Sequence, residues 1–152
     1  MAVSYMQLEL LNPVGDVVVV DPYPNIHDTV VFDTIISSDG LGTNLDYDIG
    51  TGIITFLEAG HYYIDWFVAP QYGLTTDGSN WAIKTSGGLT IIGSSHSHVS
   101  ATIGFALFNA AANETARLVN VSDGALHLSK YVKSKAGLVV HGVGIFSPVP
   151  VP

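Results

Sequence analysis

The chain has 152 residues, a net charge of −8, 47% hydrophobic residues and only 12% charged residues. This length fits one domain with a core of its own. The five Lys and Arg residues form no stripe, so we expect no nucleic-acid partner. The absence of cysteine excludes disulfides and thiolate metal sites, and the apolar runs are too short for membrane insertion. So few charges on so apolar a chain predict either an oligomer that covers part of its apolar surface or a rigid β-protein with a surface of Ser, Thr and Asn.

Short segments rich in Val, Ile, Thr, Tyr and Phe follow one another along the chain, which predicts β-strands. The predicted strands are 5–11, 17–20, 29–36, 53–57, 61–69, 80–84, 89–92, 99–108, 116–121, 125–132 and 137–146. The turns between them include Pro13-Val14-Gly15, Asp39-Gly40, Gly50-Thr51-Gly52, Asp77-Gly78, Gly87-Gly88 and Asp123-Gly124. A single window, 105–116, could instead be helical. About ten strands predict an all-β, two-sheet antiparallel sandwich or jelly roll, with one domain over 1–148 and an extended Pro-rich tail at 149–152.

Two of the predicted strands are apolar on both faces. In 61–68, one face carries Tyr62, Ile64, Trp66 and Val68, and the other carries Tyr63, Asp65 and Phe67. In 137–146, one face carries Leu138 and Val140, and the other carries Val139, Val143 and Ile145. A strand of this kind is expected where the core covers one face and a neighbouring subunit covers the other.

Several motifs, in this order, resemble the C1q/TNF-like jelly-roll superfamily. They are Val31-Phe32-Asp33, the turn with Tyr47, Asp48, Thr51 and Gly52, the strand with Gly60, Tyr62, Ile64 and Val68, Asn80-Trp81-Ala82, Ser122-Asp123-Gly124, and a closing strand with Gly142. The resemblance covers residues 30–148. Within the superfamily, the Val-Val-Phe-Asp segment and the Ile-Thr-Phe-x-x-Ala-Gly-x-Tyr stretch look most like the C-terminal heads of bacterial collagen-like spore-surface (exosporium, BclA-type) glycoproteins.

The resemblance implies a homotrimer whose interface contains residues of the two apolar strands, namely Tyr63, Asp65, Phe67, Leu138 and Val140. It also implies a non-enzymatic head for trimerisation, surface display and adhesion, without a cofactor and located outside the cell or on a spore or cell surface. The partner would be the chain itself, with other surface-layer proteins or host glycans as further partners. A phage tail-fibre head of the same fold stays open as an alternative.

His96 and His98 form the one pair typical of a metal site, because residues two apart on a strand share a face. A cupin enzyme also uses His-x-His but needs a carboxylate a few residues later, and 99–107 contains none. A third ligand would have to come from His127 or His141. The alternative is a polar loop with two imidazoles.

Asp46 and Asp48 are candidate calcium ligands because their oxygens suit that ion. Their spacing does not match an EF-hand loop, and aspartates are common in turns.

Three polar loops, 37–44, 71–79 and 94–97, are candidates to present the chain to a partner. The residues singled out in them or beside them are Tyr72, Asp77 and Asn80. Tyr72 and Trp81 could stack on a sugar, so a carbohydrate- or metal-binding protein is the other function that the sequence leaves open.

Overall fold

The computed structural model describes residues 4–12 and 15–145, and these residues form thirteen β-strands and no helix. The strands are β1 (Tyr5–Leu10), β2 (Val18–Val20), β3 (Thr34–Asp39), β4 (Leu45–Asp48), β5 (Ile53–Phe56), β6 (Gly60–Val68), β7 (Pro70–Gly73), β8 (Ser79–Thr85), β9 (Thr90–Ser95), β10 (Thr102–Ala110), β11 (Glu114–Asn120), β12 (Leu126–Leu128) and β13 (Ala136–Ile145). The segment 105–116 is therefore not helical. It contains the end of β10, a turn and the start of β11.

The strands form three antiparallel sheets. The first five-stranded sheet has the order β10-β6-β13-β1-β3, and the second has the order β4-β5-β11-β8-β9. A smaller sheet has the order β2-β12-β7. The described part of the chain contains no helix that could cross a membrane.

The inner faces of the two larger sheets enclose one hydrophobic core. Phe56 of the second sheet contacts Tyr62 and Phe108 of the first, with ring centroids 4.5 and 5.4 Å apart. Trp81 is fully buried in the same core. Two-sheet packing of this kind confirms the all-β sandwich that the strand pattern predicts.

β6 lies between β10 and β13 in the first sheet and pairs with both. Its inward side chains are Tyr62, Ile64, Trp66 and Val68, all buried. Tyr63, Asp65 and Phe67 point to the opposite, outer face. The sequence assignment of the two faces of this strand is confirmed.

The corresponding assignment for β13 is wrong. Leu138 and Val140 are buried in the core of their own subunit and do not point outwards. The physical reason is register, since Leu138 pairs with Trp66 and Val140 with Ile64, and directly paired residues of neighbouring strands point to the same face of the sheet. Val139 and His141 take the outer positions.

Several predicted strand positions are corrected, and the predicted strand 125–132 is shortened to β12. β3 begins at Thr34, because residues 29–33 run beside β11 with only an isolated bridge between Thr29 and Val119. β4 lies where a turn is predicted, and β7 lies at the start of the predicted loop 71–79. The Pro13-Val14 part of the first turn and the 149–152 tail lie outside the described residues.

Candidate assembly surface

The outer face of the first sheet carries rows of side chains from four adjacent strands. Read from β10 through β6 and β13 to β1, the rows are Ile103, Phe67, Gly137 and Glu9; Phe105, Asp65, Val139 and Gln7; and Leu107, Tyr63, His141 and Tyr5. The rows are apolar at the β10 end and become polar toward β1 and β3. The five residues at the apolar end, Ile103, Phe105, Leu107, Tyr63 and Phe67, are called the apolar band below.

The apolar band is solvent-exposed in the single subunit. Ile103, Phe105 and Leu107 are 73%, 68% and 65% exposed, while Tyr63 and Phe67 are half-buried. Exposed large apolar side chains in a contiguous group mark an interaction surface. Three of these five residues come from β10, which is not one of the two strands predicted at the interface. The sequence nevertheless carries a signal for it, because Ile103, Phe105 and Leu107 alternate with Ala106 and Phe108 to give a third strand that is apolar on both faces.

Asp65 lies within this surface, with Phe105 and Val139 as its direct cross-strand neighbours. Its side chain is exposed in the isolated subunit. Two recesses flank it, one of about 250 Å³ beside Phe67 and Val139 and one of about 350 Å³ beside Ile91 and Phe105. Asp65 therefore lies between two open recesses on the outer face of the first sheet.

His96 and His98 do not lie on a strand as the metal hypothesis requires. β9 ends at Ser95, and the two histidines follow in a bend and a turn. Among the described residues, no group of three or more His, Asp or Glu side chains is arranged to hold a metal ion. Neither His127 nor His141 supplies the third ligand.

Asp46 and Asp48 share the exposed face of β4, and both carboxylates take part in local hydrogen bonds. Asp46 Oδ1 accepts a bond from the Tyr47 amide at 2.9 Å, and Asp48 Oδ1 accepts one from the Gly50 amide at 2.8 Å. The second bond forms the Asx turn into Gly52, whose φ of +79° suits glycine. Both aspartates therefore make the local backbone contacts that are usual for aspartate in turns.

The predicted presenting loop is held by hydrogen bonds. Asn80 Nδ2 donates to the Asp77 carbonyl at 3.0 Å, and the Asn80 amide donates to Ser122 Oγ at 2.8 Å. The Thr76 hydroxyl and amide donate to the Asp123 carboxylate and lower its pKa. This loop is anchored to the 122–124 turn at its base.

Of the two aromatic residues proposed for sugar stacking, one has the required exposure. Tyr72 is 44% exposed, and one face of its ring stacks on His127 with centroids 4.1 Å apart. Trp81 has no exposed surface, and its Nε1 donates to Ser79 Oγ inside the core. A sugar-stacking role for Trp81 is therefore wrong.

The arrangement of sheets is that of known jelly-roll heads, although no protein-family model and no curated protein matches the sequence. The Eiger TNF of S. frugiperda is 12% identical with a TM-score of 0.64, over 100% of this chain and 99% of that one. The globular domain of zebrafish complement 1qA is 11% identical with a TM-score of 0.58, over 96% and 97%. The PRD1 vertex protein P5 is 14% identical with a TM-score of 0.58, over 94% and 99%. The chain therefore has the jelly-roll fold of C1q and TNF-family heads, as its motifs predict.

Proposed function

We propose that this chain is a non-enzymatic, homotrimeric head domain that self-associates through the outer face of its first sheet. The observation that carries the proposal is the apolar band, in which three large side chains of β10 are more than half exposed in the single subunit. Removing such a surface from water contributes roughly 25 cal/mol per Å² of apolar area. The homotrimer itself is implied by the resemblance to C1q/TNF-like heads.

The proposed role of the trimer is display and adhesion at a surface outside the cell. The two larger sheets supply a rigid body, and the exposed loops supply a polar and weakly acidic surface, in keeping with the net charge of −8. The sequence resemblance to exosporium heads favours a bacterial spore or cell-surface filament, with other surface-layer proteins or host glycans as partners. A Gly-x-y repeat encoded upstream of this chain would support that setting, and a tail-fibre gene neighbourhood would contradict it.

Light scattering coupled to gel filtration tests the assembly. We expect a mass about three times the 16.1 kDa of one chain at micromolar concentration, and we expect Ile103→Asp to dissociate it. Ile26→Asp is the matched control, because Ile26 is 91% exposed and lies outside the apolar band. A monomeric wild-type protein would overturn the proposal. Equal dissociation by both variants would show that the apolar band is not part of the interface.

A second candidate function is carbohydrate binding at the small sheet. It is favoured by the half-exposed ring of Tyr72, which His127 holds in a stacked position. Binding on a glycan array that Tyr72→Ala abolishes and Tyr131→Ala retains would support it. A phage tail-fibre head of the same fold stays as the other alternative.

A further inference from the structure

A cavity of about 650 Å³ lies between β2, residues 26–33, residues 50–53 and Arg117. Its volume falls in the range of roughly 300–1,000 Å³ that is usual for small-molecule sites. The walls are mainly aliphatic and include Leu10, Val18, Val19, Val20, Val31 and Ile53. None of its lining residues belongs to the apolar band, so the cavity is independent of the proposed interface.

Arg117 is held rigidly on the lining of this cavity. Its Nη1 donates to Asp28 Oδ1 and to Thr29 Oγ1, both at 2.6 Å, and Asp28 is buried. The guanidinium carbon also lies 5.9 Å from the centre of the Tyr23 ring. Within the described part of the chain, Nε and Nη2 have no hydrogen-bond acceptor. This unused edge matches the two oxygens of a carboxylate.

Asp33 supplies the opposite charge on the same lining. Its Oδ1 accepts hydrogen bonds from the Leu11 amide and the Thr34 hydroxyl, both at 2.9 Å, which fixes the carboxylate. Its Oδ2 accepts none from the described residues and is available to an ammonium group. Three residues separate Thr29, which accepts a hydrogen bond from Arg117, from Asp33, so the Cα atoms of Thr29 and Asp33 lie at most about 14 Å apart.

The charges on the lining decide the class of ligand. A simple anion would meet the carboxylate of Asp33, and a simple amine would meet the guanidinium of Arg117. A molecule with one carboxylate, one ammonium group and an aliphatic body complements all three features. The remaining ionisable group on the lining is His27.

We propose that this cavity binds an aliphatic zwitterion of the size of an amino acid to a dipeptide. The carboxylate of the ligand bonds to the Nε and Nη2 edge of Arg117. The ammonium group bonds to Asp33 Oδ2, and the aliphatic side chains contact the valine and isoleucine walls.

Calorimetric titration of the full chain with leucine and with leucyl-leucine tests the site. We expect saturable binding of at least one of them, with the N-acetylated and the C-amidated forms at least about tenfold weaker, since each removes a charge-assisted contact. Glycylglycine, which keeps the charges and lacks the aliphatic body, should also bind more weakly. Arg117→Lys keeps the ion pair with Asp28 and loses the forked edge, so it should weaken binding by a similar factor.

Val19→Trp should block the cavity, and Val17→Trp is its matched control. Both valines are 46% exposed, so both variants should fold, but only Val19 lines the cavity. Absence of saturable binding by both free ligands, equal binding of free and blocked ligands, or normal binding by Val19→Trp would overturn the proposal. The trimer mass is measured separately and does not depend on any of these results.

Discussion

The indole of Trp66 shows how single glycines shape the core of this protein. It lies between Gly93 of β9 and Gly104 of β10, where an added Cβ would lie 2.8 Å and 2.3 Å, respectively, from its Cζ2 atom. Neither glycine has a positive φ, so close packing against the ring is the reason for glycine here. The two sheets meet at this ring, and the glycines leave room for it.

Gly104→Ala should therefore destabilise the fold. A methyl group in a filled core costs roughly 1–3 kcal/mol, because either the indole or β10 must move. Gly50→Ala is the control, since its Cβ would meet only the Asp48 side chain at 3.2 Å. Urea midpoints measure both variants, and an unchanged midpoint for Gly104→Ala would contradict this packing.

Tyr47 couples stability to alkaline pH. Burial is the main cause that raises the pKa of its hydroxyl, which donates to the Phe32 carbonyl at 2.8 Å. Below pH 10 the hydroxyl is protonated in both the folded and the unfolded state, so it causes no pH dependence. Above pH 10 only the unfolded state releases the proton, so the free energy of unfolding should fall by up to about 1.4 kcal/mol per pH unit.

Urea unfolding between pH 9 and 12 tests this effect. Tyr47→Phe should reduce the alkaline slope, while Tyr131→Phe should not, because Tyr131 is 71% exposed. The slope does not vanish in Tyr47→Phe, since burial also raises the pKa of Tyr62. An identical slope in wild type and Tyr47→Phe would exclude Tyr47 as the cause.

At the scale of the strands, the sequence predicts both β6 and β13, but it predicts the buried face correctly only for β6. β6 begins at Gly60, and its single carboxylate, Asp65, indicates which face of the strand points outwards. In β13 both faces carry branched apolar residues, so alternation separates the two sets without saying which is inside. The choice is made by pairing with β6, which places Leu138 opposite Trp66.

The short strands β4 and β7 were missed for a similar reason. β4 is Leu-Asp-Tyr-Asp, with two aspartates that are typical of turns, and β7 begins with proline. β4 forms a strand because β5 pairs with it, and β7 because β12 does. β7 and β12 lie far apart in the chain, and β4 has only four residues. Local composition therefore does not predict either pairing.

Asp65 should weaken the assembly that the apolar band promotes. Burying an ionised carboxylate without a partner costs several kcal/mol, and the cross-strand neighbours of Asp65 are Phe105 and Val139. Asp65→Asn keeps the shape and removes the charge, so the assembly should dissociate at a concentration at least about tenfold lower. Asp39→Asn, at the polar end of the outer face, should change nothing. Sedimentation velocity measures both, and a weaker Asp65→Asn assembly would show that Asp65 bonds to the partner subunit.

For the whole molecule, the structure separates two surfaces with different chemistry. The apolar band covers one end of the first sheet, while the cavity with Arg117 and Asp33 lies beside β2 and the 26–33 segment. The exposed apolar band is in keeping with the low charge of the chain. A trimer could therefore assemble through the band while each subunit keeps its cavity.

If the band joins three subunits, the stability of the protein must depend on its concentration. Unfolding then includes dissociation, so mass action raises the midpoint as the protein is concentrated. A tenfold rise should add roughly 2.7 kcal/mol per trimer, since each of two association steps gains about 1.4 kcal/mol. Thermal unfolding over a hundredfold range of concentration measures the shift. Ile103→Asp should lose the dependence and Ile26→Asp should keep it, whereas a wild-type midpoint that stays constant would mean that the folded subunit is stable alone and that the band remains exposed.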